Sequence, residues 1–139
     1  MNETPHPRVG IAVIVKKDGN VLLGKRKAAI GNETWQFPGG HLEYGEGIFE
    51  CALREVLEET GAKIHNLSAP IFTNDVFEEN GKHYLNVYVV ADYLEGAIEV
   101  KEPEKCDGWE WIAWNELPSR KLFVPIYKLF EMNFSPFNT

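Results

Sequence analysis

The sequence predicts an α/β layered sandwich on a mixed β-sheet, and three observations predict it. Runs rich in β-branched and aromatic residues alternate with helical stretches in the order strands, helix, strands, helix. Strand runs meet at Asp18-Gly19-Asn20 and again at Asn80-Gly81, and both are hairpin signals. A helical pattern from about Glu46 to Thr60 stops at Gly61, a residue type suited to a helix C-terminus.

The elements follow in chain order. "RVGIAVIVKKDGNVLLGKRK" supplies the first hairpin, and "WQFPGG" is a short apolar piece stopped by Pro38 and two glycines. On the helix each residue advances about 100°. That angle turns Phe49, Leu53, Val56 and Thr60 toward the core and gathers Glu55, Glu58 and Glu59 on the opposite side. "APIFTNDVFEENGKHYLNVYVVADYLEG" reads as two strands around a turn, and "GWEWIAW" alternates like a strand. "NELPSRKLFVPIYKLFEM" reads as a final helix, with Pro118 near its start and Pro125 an interior breaker. Trp109, Trp111 and Trp114 read as packing residues.

At 139 residues, without repeat or linker, residues 1–139 form a single domain able to bury a core. The hydrophobic fraction of 44% argues against disorder. A net charge of -7 without a basic stripe excludes long nucleic acid as a partner. Two cysteines, Cys51 and Cys106, are too few for a disulfide scaffold and fit a reducing compartment. "MNETPHPRVG" has no apolar signal core, and no apolar run has the length of a membrane span, so a soluble, cytoplasmic protein is expected.

The acidic helix turn carries the chemistry. Glutamates three or four apart on a helix repel by a few tenths of a kcal/mol per pair. Their clustering beside Arg54 therefore asks for a positive partner. Carboxylates of this kind are hard ligands suited to magnesium or manganese. Arg54 is able to hold a carboxylate bidentately, and the Pro38-Gly39-Gly40 loop lets a carbonyl come close to a metal. Spacing alone leaves a solvated acidic helix equally open. Cys51 reads as a small filler, and His41 as a loop histidine outside the ligand set.

From Gly40 the chain reads five residues, Glu46, seven residues, then Arg54-Glu55-Val56-Leu57-Glu58-Glu59-Thr60-Gly61-Ala62. This pattern resembles the Nudix hydrolase box at every charged position and both glycines, departing only at Ala62, where a larger aliphatic is usual. The resemblance implies the Nudix fold, an α/β/α sandwich, and hydrolysis of a nucleoside diphosphate linked to a further group. It implies Glu55, Glu58 and Glu59 as metal ligands, joined by the carbonyl of Gly39, with Glu46 and Arg54 bracing loop against helix. Either Glu58 or Glu59 is then the base for attack of water at phosphorus.

The stretches "VLLGKRK", "TWQFPGGHLEYGE", "EPEK", "WEW" and "ELP" extend the resemblance to the family's small nucleotide-pool members, its type 15 and plant type 1 triphosphate diphosphatases. Those imply release of pyrophosphate from (deoxy)nucleoside triphosphates, modified ones such as 8-oxo-dGTP included. A nucleotide sugar or dinucleoside polyphosphate is the alternative substrate, and a non-catalytic binding module the remaining one. By the same resemblance Lys25 and Arg26 meet the phosphates, and Gln36 the base. Asn74, His83, Asn86 and Phe123 line the base pocket, and Glu104, in preference to Glu102, adds a metal-binding acid. Val124-Pro125 departs from the type 15 pattern of a large aromatic and a glycine, which alters the base wall. Pairing into a homodimer is expected on the same footing.

Overall fold

The computed structural model describes residues 5–137; residues 1–4 and 138–139, counted within the single domain above, lie outside the described residues. Strand β1 (Arg8–Lys17) turns through Asp18 and Gly19, both at positive φ, into β2 (Asn20–Arg26). This is the expected two-residue hairpin. Two short strands follow, β3 (Trp35–Gln36) and β4 (Gly39–His41), and then helix α1 (Ile48–Thr60), which ends on Gly61 in the left-handed region. Strands β5 (Lys63–Phe77) and β6 (Lys82–Glu95) form the long hairpin turning at Asn80-Gly81. β7 (Cys106–Ala113), a 3-10 stretch (Trp114–Ser119) and α2 (Pro125–Glu131) complete the chain.

The sheet runs β3-β2-β1-β6-β5, with β4 paired to β1 and β7 to β2. β1 and β6 are parallel, from Arg8 opposite Tyr84 to Lys16 opposite Asp92, while the other pairs are antiparallel. The sheet is therefore mixed, as expected. Strand alternation divides the core between its two faces. Ile11, Val13 and Val15 of β1 join Cys51, Ala52 and Val56 of α1 on one face. Ile14 joins Tyr88, Leu117, Ile126 and Leu129 on the other. Helices cover both sides, making an α/β/α sandwich. Among the described residues no helix is long and apolar enough to cross a membrane.

Three sequence expectations need correction. The glycines after Pro38 do not stop a strand; they form β4, and the Pro38 carbonyl accepts from the Val13 N–H. The stretch from Asn115 to Met132 is not one helix. Pro125 occupies the first turn of α2, where a missing N–H costs nothing. On α1, Phe49 and Leu53 are exposed and the small side chains of Cys51, Ala52, Val56 and Thr60 are buried. Helix and sheet meet closely there, so the smaller residues face inward.

Candidate active site

The three helix acids face different surroundings. Glu55 and Glu59 lie beside the buried stripe and line a cleft of about 840 Å3, whereas Glu58 points to solvent. That volume lies within the usual range for a small-molecule site. The backbone N–H of Gly39, at the start of β4, donates to Glu59 Oε2 at 2.7 Å. Gly40 passes so close to Glu55 that a Cβ there would stand 2.5 Å from its carboxyl carbon. Only glycine permits this approach.

Arg54 organises the outer side of the cluster. Its Nε and Nη2 donate to the two oxygens of Glu46 at 2.7 and 3.0 Å, the bidentate pairing expected of this residue pair. Its Nη1 donates to Glu55 at 2.8 Å and to Glu58 at 3.3 Å. Arg54 holds the Glu46 carboxyl down at about 2, well below the ordinary carboxylate range. Burial acts in the opposite direction on the inner acids. It raises Glu55 despite Arg54, and pushes Glu59 up to about 8, with Glu55 and Glu102 adding to the rise and the Gly39 N–H opposing it.

Such desolvated, mutually repelling carboxylates fit a divalent cation, whose charge would offset both the burial and the repulsion that raise them. Among the described residues no three His, Cys, Asp or Glu side chains converge into a ready shell. Magnesium commonly uses one or two carboxylates and takes its other oxygens from water and substrate phosphates. Glu55, Glu59, Glu102 and Glu43 line the cleft, and Glu43 also lies 3.7 Å from Arg54 Nη2. Glu104, preferred over Glu102 from sequence, is not among the lining residues.

The rest of the cleft is a wall of rings and amides. His41 stacks on Tyr84 at 5.5 Å, Tyr84 meets Phe77 edge-on, and Phe77 stacks on Phe123 at 5.8 Å. The Arg26 guanidinium lies over Phe123, 4.4 Å from the ring centre, and its Nη1 donates to Gln36 at 2.5 Å. Arg26, Gln36, Asn86 and Phe123 therefore line the cleft, as expected from sequence. Lys25, Asn74 and His83 do not. Neighbouring strand residues face opposite ways. Arg26 and Asp75 take the inward positions, and Asn74 pairs with His83 on the outside at 2.6 Å.

Tyr84, Phe77, Lys27 and Lys105 line the cleft without having been singled out in the sequence. The only signal for Tyr84 was its place two residues before Asn86 on one strand. Burial, with Arg8, Lys82 and Lys105 nearby, lowers the His41 pKa and favours the neutral ring. Cys51 is buried with its thiol pushed up to about 12 by burial and Glu46, which suits a filler. Trp114 stacks between Phe37 and Phe130, a packing role as expected, and Trp109 and Trp111 pack against the α1-side core.

Comparison with known proteins meets this geometry. An ADP-ribose pyrophosphatase of Methanocaldococcus jannaschii is 31% identical over 81% of this chain, which spans 66% of that protein. An RNA pyrophosphohydrolase of Caulobacter vibrioides is 32% identical over 90% of the chain and 83% of its own length. An oxidized purine nucleoside triphosphate hydrolase of Danio rerio is 32% identical over 81% and 70%. The crystal structure of a MutT NUDIX hydrolase from Burkholderia pseudomallei superposes with a TM-score of 0.82 at 28% identity, covering 91% of this chain and 98% of that one. The model of the NUDIX domain matches residues 4–132, and the chain belongs to the Nudix family.

Proposed function

We propose that this chain is a metal-dependent pyrophosphohydrolase that splits (deoxy)nucleoside triphosphates, modified ones such as 8-oxo-dGTP among them, into monophosphate and pyrophosphate. The observation that carries the reading is a single cleft holding the desolvated acids Glu55 and Glu59, with Glu102 beside them, and a wall of rings and amides. The Danio rerio relative, named for oxidized purine nucleoside triphosphates, supports this substrate class. The Methanocaldococcus jannaschii relative favours a second reading, a nucleotide sugar (a nucleoside diphosphate linked to a sugar), and a cleft of about 840 Å3 has room for one.

Glu55 and Glu59, with Glu102 and the Gly39 carbonyl, would hold magnesium or manganese. When bound, the cation neutralises phosphate charge and acidifies a water. The remaining work belongs to the chain. Arg54, anchored on Glu46, fixes the rotamer of Glu55. Either Glu58 or Glu59, the latter held by the Gly39 N–H, would take a proton from water. Arg26 and Lys105 counter phosphate charge at the cleft. Phe123, Phe77 and Tyr84 stack and shield the base from water.

Nucleotide products separated by chromatography across a substrate panel, with pyrophosphate release read alongside, test the reading with magnesium and with chelator. The panel holds the standard triphosphates, 8-oxo-dGTP, ADP-ribose, a sugar nucleotide and a dinucleoside polyphosphate. Magnesium-dependent pyrophosphate release from a triphosphate is expected. Turnover confined to ADP-ribose or the sugar nucleotide would replace the substrate class, and silence throughout would leave a binding module. The same purified chain, sized in solution, tests the expected homodimer.

A further inference from the structure

We propose that Asp75 is a positioning residue that turns Asn86 toward the nucleobase as a hydrogen-bond acceptor, while Arg26 turns Gln36 toward it as a donor. The inference rests on the nucleotide reading above and deepens it to how the base is recognised.

Asp75 is 3% exposed, and three side chains converge on it. Lys128 of α2 donates to its Oδ1 at 2.6 Å, and Thr73 Oγ1 to its Oδ2 at 2.6 Å. Asn86 Nδ2 donates to the same Oδ2 at 2.7 Å. A carboxylate only accepts, so the amide nitrogen of Asn86 must face it and the amide oxygen must face away. Asn86 lies across Gly10, its register partner on β1, and a Cβ at Gly10 would collide with Asn86 Oδ1. Gly10 and Asn86 both line the cleft. Among the described residues, the bond to Asp75 is the one side-chain hydrogen bond that Asn86 makes.

Gln36 is held in the opposite sense. Arg26, itself anchored through Nε to the Ile30 carbonyl at 2.6 Å, donates to Gln36 Oε1. A guanidinium only donates, so Gln36 keeps its NH2 group for the cleft. An unrestrained amide offers donor or acceptor with similar ease. Here two charges give two amides fixed and opposite polarities. The complementary ligand is a base edge carrying an N–H and an acceptor atom, with the N–H read by Asn86.

Calorimetry with nucleoside monophosphates tests this apart from hydrolysis. The pairs differ by one donor group: the exocyclic amino group for GMP against IMP and for AMP against purine riboside monophosphate, and the N1–H for IMP against its 1-methyl form. A missing partner in a partly buried site weakens binding about tenfold, so at least one pair should differ by that factor in the natural protein. Asp75→Asn should bring the ratio close to one, because an amide at position 75 either donates or accepts. The double exchange Asp75→Asn with Asn86→Asp should restore it, because a carboxylate at position 86 accepts only.

A purely structural Asp75 would lower Tm and weaken every nucleotide alike, leaving the ratio untouched. That outcome in a cooperatively melting variant overturns the inference, as does failure of the double exchange to restore the ratio. Should Asp75→Asn not fold, NMR of the natural protein decides. Nucleotide should shift the Asn86 side-chain 13Cγ while its NH2 resonances stay in place, and the reverse pattern overturns the proposal. Binding of no monophosphate would overturn the nucleotide reading together with the inference. Binding with a ratio indifferent to both variants overturns the inference alone.

Discussion

Glu55, Glu58 and Glu59 are alike in the sequence, yet the fold gives them three environments. Glu59 is the most desolvated and is held by a backbone N–H; Glu55 is held by Arg54; Glu58 is half-exposed. Carboxylates that meet the cation and phosphates should matter more than one that faces water. Glu55→Gln and Glu59→Gln should each lower kcat by at least a hundredfold, and Glu58→Gln by about tenfold or less, on the scale of positioned acid-base groups. Steady-state kinetics checks this, and equal losses at all three would remove the distinction. The Glu59 carboxyl also fixes a pH trend. Its folded value is raised to about 8 from an ordinary 4.5, so between those values the folded state keeps a proton that the unfolded chain has released. Metal-free stability should therefore fall as pH rises through that window. Added magnesium, which competes with that proton, should raise Tm more at pH 8 than at pH 6. Thermal melts should lose both trends in Glu59→Gln.

At the scale of elements, what the sequence left legible was periodicity and punctuation. Asp18-Gly19, Asn80-Gly81 and Gly61 mark local dihedral demands, so both hairpins and the end of α1 could be read directly. Helical spacing gathered Glu55 and Glu59 beside Arg54 because a helix converts spacing into direction, while Glu46, ahead of α1, was pointed to only by the family resemblance. What could not be read was set by distant contacts. Hydrophobicity selects Phe49 and Leu53 for the core, but the close approach of α1 to β1 and β4 admits only smaller groups. Pro125 looks like a breaker until the chain from Arg120 to Val124 is seen to leave the helical path, after which it starts α2. Glu102, and not the preferred Glu104, lines the cleft, because a loop has no period from which such a ranking can be read. The shifted face of α1, which keeps Val56 and Thr60 buried but not Phe49 and Leu53, is testable by urea unfolding. Leu53→Glu should change stability by no more than about 0.5 kcal/mol, as at an ordinary surface site. Ala52→Leu, which overfills the contact with the sheet, should cost about 1–3 kcal/mol. The opposite ranking would restore the face read from hydrophobicity.

For the whole molecule, one sheet with two separate cores divides the labour of the cleft. The α1-side core, including Val56, underlies the acids, while the α2-side core, including Leu129, underlies Tyr88 and the Asp75–Lys128 pair. β1 is the common wall, sending Ile11, Val13 and Val15 to one side and Ile14 to the other. Val56 and Leu129 are fully buried in different clusters. Sites without shared partners lose stability additively to within about 0.5 kcal/mol. Leu129→Ala should cost about 2–5 kcal/mol through its cavity, and Val56→Ala less because fewer side-chain carbons are removed. The double variant should show the sum of the two. Function should split the same way, because each cavity loosens a different wall of the cleft. Leu129→Ala should chiefly raise KM through the base wall, and Val56→Ala should chiefly lower kcat through the acids. Urea titrations and steady-state kinetics on the two single variants and the double check both halves. A coupling above about 1 kcal/mol, or matching kinetic changes in the two single variants, would mean that the sheet transmits packing strain between its faces instead of separating them.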